Sequence, residues 1–266
     1  MCRLAAYLGS PIPLGRIIVE PAHSLLDQSQ HATEAKLAVN GDGFGFAWYD
    51  DNPEPGLYRD VLPAWSDGNL PSLCRMVRSR LFLAHVRAST TGETSRVNCH
   101  PFVHEGWSFM HNGQVGDFAS IRRPLEAKLT DSLYMARRGS TDSELLFLLL
   151  LTHGLKDDPH AAILAVLDLL RAHSVYGAGR DAVRLTCVFS DGKTIYAFRH
   201  ASDDRCPTLY VQATREGGWT LASEPLDGDA SNWAEVPTET LITLSPGKQH
   251  HLPLAHTDGT ERPAAA

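Results

Sequence analysis

The sequence predicts an α+β fold, one domain in several layers with β-sheets packed face to face and helices outside. Three observations point there. Short apolar runs separated by turn residues fill the chain up to Asp117. Two long apolar runs with helix-capping residues follow between Ser140 and His173, and strand-like runs then return. No internal repeat and no Pro-, Gly- or Ser-rich linker divides the chain, so residues 2–256 read as a single domain and 257–266 as a frayed tail.

The elements follow in order. Leu4–Gly9 is an apolar run stopped by Gly9-Ser10-Pro11 and reads as a strand. Ile17-Ile18-Val19 is strand-like, and Glu20–Gln30 reads as a short helix with Pro21 in its first turn. Asn40–Tyr49 begins with turn residues and continues as a buried aromatic strand, in which Gly43 and Gly45 predict close approach of another backbone. A phosphate loop is excluded there, because the lysine and following helix are missing. Asp50–Gly56 is a loop, Pro71–Ser79 a short helix, and Leu81–Val86 a strand ending at Arg87. Trp107–Met110 reads as a strand that delivers His111-Asn112-Gly113-Gln114 at its end. Ser140-Thr141-Asp142-Ser143-Glu144 supplies capping hydroxyls and carboxylates ahead of an apolar run. Ser143–His153 and His160–His173 are then expected to be helices, apolar nearly all round and buried. Strands are expected at Arg184–Phe189, Thr194–Phe198, Leu209–Gln212, Trp219–Ala222 and Thr240–Leu244, with Asp191-Gly192 as a hairpin turn.

Bulk properties narrow the function. The 266 residues carry a net charge of −7, which argues against nucleic acid or an anionic membrane as the main partner. Five scattered cysteines without a CxxC pair fit a reducing compartment better than a disulfide framework. No positively charged N-terminal segment leads into an apolar stretch, and Leu145–Leu151 and Ala161–Leu167 fall far short of the roughly 20 residues needed to span a bilayer. The expectation is a soluble protein of the cytoplasm.

Chemistry starts at Met1-Cys2-Arg3. Trimming the methionine would leave Cys2 with both a thiol and a free α-amine, a nucleophile and a base on one residue. The plain alternative is a small residue at the start of an edge strand. Asn112-Gly113, taken alone, is a common Asn-Gly turn; its other reading is a carboxamide and a backbone N–H that together receive an oxyanion. Arg87 is either half of a surface ion pair or a clamp for a carboxylate. Asp142 is either a helix-start carboxylate or a partner for an ammonium group. His100, His104 and His111 make no zinc set, because Pro101 breaks regular pairing and no spaced cysteines support them. No cofactor is expected.

The joint order of these motifs is more specific than any of them. Cys2, Ala84-His85-Val86-Arg87-Ala88-Ser89-Thr90, Asn98-Cys99-His100-Pro101-Phe102, His111-Asn112-Gly113 and Thr141-Asp142-Ser143-Glu144 together resemble the class II, N-terminal cysteine glutamine amidotransferases. Leu221-Ala222-Ser223-Glu224-Pro225 resembles a segment of their compact stand-alone branch. The resemblance implies the four-layer αββα sandwich of N-terminal-nucleophile hydrolases. It implies Cys2 as nucleophile, with Asn112 and the Gly113 amide as oxyanion hole. Arg87 would hold the α-carboxylate of a glutamine or γ-glutamyl substrate, Asp142 would hold its ammonium, and Thr90 would assist at the same end. His100 would support the pocket wall. Larger members place a tryptophan and a histidine after the arginine where Ala88 and Thr91 stand here. No synthase domain is expected to follow. The implied activity is hydrolysis of a γ-glutamyl amide to glutamate. Ammonia supply to a separate synthase subunit and a non-catalytic γ-glutamyl-binding role stay open, as does assembly into a homodimer.

Overall fold

The computed structural model describes residues 2–34, 38–89, 93–173, 182–227 and 229–255. The expected tail, 257–266, lies outside them, as does Thr90. Among the described residues seven strands form one sheet and six another. The first runs β11 (Ala234–Glu235), β9 (Tyr210–Ala213), β10 (Trp219–Ala222), β1 (Arg3–Pro13), β4 (Arg78–Val86), β2 (Phe44–Tyr49), β3 (Gly56–Asp60). The second runs β13 (Lys248–Pro253), β12 (Thr240–Ser245), β8 (Ile195–Ala201), β7 (Arg184–Ser190), β6 (Trp107–Gln114), β5 (Phe102–His104). Neighbours pair antiparallel throughout.

Side-chain alternation along the strands builds the layers. Leu4, Ala6 and Leu8 of β1 and Leu81 and Leu83 of β4 meet Met110 of β6, Val188 of β7 and Ile242 of β12 in a core between the sheets. The alternate residues Ala5, Tyr7, Phe82 and Ala84 face the other way, onto α1 (Gly15–Ile18), α2 (Leu25–His31) and α3 (Leu70–Met76). On the second sheet Phe109, Cys187 and Phe189 face outward, under α6 (Asp142–Thr152) and α7 (Pro159–His173). The α4 (Phe118–Glu126) and α5 (Asp131–Ala136) helices complete that outer layer. The result is the four-layer αββα sandwich. Because both faces of each sheet are covered, the central strands read as unbroken apolar runs.

Several local expectations change. Ile17-Ile18 belong to helix α1, where both side chains are buried against the first sheet, so packing overrides β-branched propensity. The helix expected from Glu20 starts at Leu25. Ser24 caps it by accepting the Asp27 amide at 3.2 Å, and Pro21 lies in the preceding turn. Residues His111 to Gln114 are part of β6 itself. The α6 helix is buried around its whole circumference from Ser143 to Leu150, but α7 buries one face, Ala162, Ile163, Val166, Leu167 and Leu170. Short strands β3 and β5 and the polar edge strand β13 add to those anticipated.

Candidate active site

Cys2 precedes β1 by one residue and Arg87 follows β4 by one. The pairing of Arg3 with Val86 sets them opposite each other, and alternation puts them on the inter-sheet face with Leu4 and His85. The Cys2 Sγ is half-buried and accepts the Ala88 N–H at 3.4 Å. Its thiol also lies 3.6 Å from the Ala88 carbonyl oxygen. Burial pushes the thiol pKa up; the Ala88 amide and the positive charges of Arg87 and Arg3 pull the other way without cancelling it.

Arg87 is a buried cation rather than a surface one. It donates to the Asp42 carbonyl at 3.3 Å and to Ser89 Oγ at 3.0 Å. Asp42 returns the contact: its N–H donates to the Arg87 carbonyl at 2.9 Å, and its carboxylate accepts the Ser89 amide at 2.7 Å. The turn at Asn40-Gly41-Asp42 thereby fixes the segment after β4. Sequence reasoning read that turn as turn chemistry and missed this use of Asp42, although an aspartate within it was the available signal.

Asn112 lies on β6 two residues beyond Met110, so its side chain shares the inter-sheet face. It is fully buried, and neither Nδ2 nor Oδ1 has a partner among the described residues. A buried amide without partners costs free energy, roughly 1–3 kcal/mol, and such a group is a site where a ligand can bind. Gly113 has φ +152°, and a Cβ there would stand 1.9 Å from the Arg184 carbonyl oxygen. Glycine is therefore required by both conformation and space.

His111 faces the helical layer. Its Nε2 lies 3.2 Å from the Arg184 carbonyl and must donate; its Nδ1 then accepts from Ser143 Oγ at 2.9 Å. Burial lowers its pKa, with Asp142 opposing, so the ring is neutral. Asp142 begins α6 behind the N-cap Thr141. Its carboxylate accepts the Val115 amide at 2.9 Å and the Ser143 amide at 2.8 Å, which ties the end of β6 to the start of α6. A carboxylate has about four lone-pair sites, so this helix-start role leaves acceptor capacity for a further donor.

His100 is buried with both ring nitrogens unpartnered among the described residues. Its ring lies on His85, centroids 4.1 Å apart, and edge-on to Phe102 at 4.7 Å. The backbone here passes so close to β2 that a Cβ on Gly45 would meet the His100 carbonyl oxygen at 2.4 Å, the close approach expected from the sequence. Two further residues went unrecognised. Arg3, next to Cys2, is fully buried and paired at 3.0 Å with Glu224, itself in the quoted Leu221–Pro225 segment. Separation along the chain hid the pair; the signal was a charged residue inside an apolar run.

These features can be set beside known proteins. Residues 21–216 match the family model described as glutamine amidotransferases class-II. A probable glutamine amidotransferase of Saccharomyces cerevisiae, DUG3, is 32% identical over 92% of this chain and 82% of its own. The gamma-glutamyl-hercynylcysteine sulfoxide hydrolase of Mycolicibacterium smegmatis is 30% identical over 92% and 96%. The solved structure of a glutamine aminotransferase class-II domain protein from Silicibacter pomeroyi superposes with a TM-score of 0.74 at 40% identity, covering 96% of this chain and all of the other. The layered fold, the order of the motifs and these matches agree: the chain belongs to the class II glutamine amidotransferase family.

Proposed function

We propose that the chain is a cysteine-dependent amidohydrolase that cleaves the γ-amide of glutamine or a γ-glutamyl compound. The observation that carries this reading is the meeting of Cys2 and Arg87 across the β1–β4 register, on the face toward which the unpartnered Asn112 amide points. The named hydrolase relative supports a γ-glutamyl amide as the substrate class. Five free cysteines support work in a reducing compartment, the cytoplasm, and no helix among the described residues is long and apolar enough to cross a membrane. On this reading residues 2–256 act as one catalytic domain.

Removal of Met1 frees the Cys2 α-amine, with a pKa of about 8, to take the thiol proton. Sulfur adds to the γ-carbonyl carbon, and the carbonyl electron pair moves onto oxygen. Asn112 Nδ2 and the Gly113 N–H stabilise that oxyanion; one such donor is worth about 100-fold or more in rate. The C–N bond then breaks as the leaving nitrogen takes the proton held by the amine, leaving a thioester. Water then adds to the thioester as the now-neutral amine takes its proton, the C–S bond breaks, the proton passes to the departing sulfur to restore the thiol, and glutamate leaves. Arg87 binds the substrate α-carboxylate through charge-assisted hydrogen bonds, Asp142 binds the ammonium, Thr90 assists, and His100 forms part of the wall.

Mass spectrometry of the purified protein tests the first step, and the chain is expected to start at Cys2. A glutamine-derived diazoketone is expected to add one equivalent at Cys2 and none to Cys2→Ala, while a panel of γ-glutamyl amides identifies the leaving group. Labelling at another cysteine, or full hydrolysis by Cys2→Ala, would overturn the reading. Glutamate release that requires an added synthase would instead mark an ammonia-supplying subunit.

A further inference from the structure

Glu224 collects donors from four directions. Its carboxylate accepts from Arg3 Nη1 at 3.0 Å, from Thr33 Oγ1 at 2.7 Å and from the Glu34 amide at 2.9 Å. The Thr33 amide adds contacts at 3.1 and 3.0 Å. His23 Nε2 is 2.8 Å away, while His23 Nδ1 faces Asp27 at 2.8 Å, so both ring nitrogens donate and the ring is a cation. Neither Arg3 nor Glu224 is more than 1% exposed. The Nε and Nη2 of Arg3 have no partner among the described residues, so Glu224 is the contact that anchors this cation. Next to it Ser223 Oγ accepts the Leu4 amide at 3.0 Å, and the Ser223 amide donates to the Leu4 carbonyl at 2.9 Å. The start of β1, one residue from the thiol, is thus held by two consecutive residues of the C-terminal third.

The same hub reaches the other side of the site. Gln28 Nε2 donates to the Glu224 carbonyl at 3.2 Å, and Asn40 Nδ2 donates to the Gln28 carbonyl at 3.3 Å. Asn40 lies two residues before Asp42, which holds Arg87 and Ser89.

We propose that Glu224 is a positioning residue for the reaction: through Arg3 it fixes the Cys2 nucleophile, and through Gln28, Asn40 and Asp42 it keeps that nucleophile in register with Arg87. This inference rests on the amidohydrolase reading. A carboxylate is needed at this point because its neighbours are donors. An amide of the same size would turn its own N–H groups toward some of them. Displacement of a nucleophile by about 1 Å is enough to cost on the order of 100-fold in rate.

The test is Glu224→Gln, read in three ways on one preparation: hydrolysis of a γ-glutamyl amide, alkylation of Cys2 by iodoacetamide, and hydrogen exchange at the Leu4 amide. Positioning predicts kcat lowered about tenfold or more with KM within about twofold, together with faster Leu4 exchange and a changed alkylation rate. A lower melting temperature with all three unchanged marks a purely structural residue and overturns the proposal. If Glu224→Gln does not fold, Arg3→Lys and Arg3→Met carry the same readouts. The lysine variant is expected to keep more of kcat than the methionine variant, and equal kcat in both and in the unaltered protein overturns the proposal. An unaltered protein that neither hydrolyses any γ-glutamyl amide nor takes the diazoketone on Cys2 sinks the amidohydrolase reading instead. Leu4 exchange and Cys2 alkylation then decide the positioning question alone.

Discussion

The imidazole of His85 lies on that of His100 with centroids 4.1 Å apart, and His85 Nε2 donates to the His111 carbonyl at 3.3 Å. Three buried histidines therefore lie near one another: His85 on the inter-sheet face, His100 stacked on it, and His111 turned to the helical layer, where Asp142 opposes but does not cancel the effect of burial. Burial pushes His85 down to about 3 and lowers both His100 and His111.

That cluster predicts acid sensitivity. The folded protein keeps these rings neutral while the unfolded chain protonates them below the ordinary histidine pKa of about 6.5. The unfolded state then binds more protons, so stability falls as pH drops below that value toward the depressed folded-state ones. The slope reaches up to about 4 kcal/mol per pH unit if all three rings stay neutral. Urea unfolding at pH 7.5, 6 and 5 measures it, and stability flat across that range would contradict the assignment.

At Gly113 even a methyl group is excluded. Gly113→Ala combines a φ of +152° with a Cβ 1.9 Å from the Arg184 oxygen. The expected loss is at least about 2 kcal/mol of stability, since β6 and β7 must part to admit the methyl group. Hydrolysis is expected to fall by about 100-fold or more in the protein that remains folded, because the backbone N–H moves with the strand. Denaturant midpoints and active-site titration separate the two effects.

Arg87 and Asp142 should be distinguishable by what the substrate lacks. Wild-type protein is expected to prefer glutamine over 4-aminobutanamide, which has no carboxylate, and over glutaramic acid, which has no ammonium. Arg87→Met should erase the first preference and Asp142→Asn the second, each by about 10- to 100-fold in kcat/KM. An unchanged pattern with Asp142→Asn would leave the carboxylate with its helix-start role alone, for which the Val115 and Ser143 amides already suffice.

Local physics decided which parts could be read from the chain. β2 and β4 were legible because strands covered on both faces are continuous apolar runs. α6 was legible because Thr141 caps it in the ordinary way, its hydroxyl accepting the Glu144 amide at 3.2 Å. β13, Lys-Gln-His-His-Leu-Pro, was not, because an exposed edge strand needs neither alternation nor an apolar face. Helix α1 was hidden by its β-branched residues. Within the candidate site, Arg87 and Asn112-Gly113 were legible only through the joint order of the motifs, because each alone reads as a surface ion pair or a turn. Arg3 with Glu224, and Asp42 with Ser89, could not be paired from the sequence, because each contact depends on how distant segments fold together.

The place of β1 in the middle of its sheet bears on how the protein is made. Its neighbours are β4 and β10, and the second of these ends at Ala222. β1 lies far ahead of β10 in the chain, so it is among the last strands to gain its full set of partners. Until the residues up to Ala222 have been synthesised, β1 has no finished slot between β4 and β10 to occupy. On the amidohydrolase reading, removal of Met1 has that interval in which to act before the fold closes around Cys2. An expression tag placed ahead of Cys2 would interfere with trimming first and with strand assembly second.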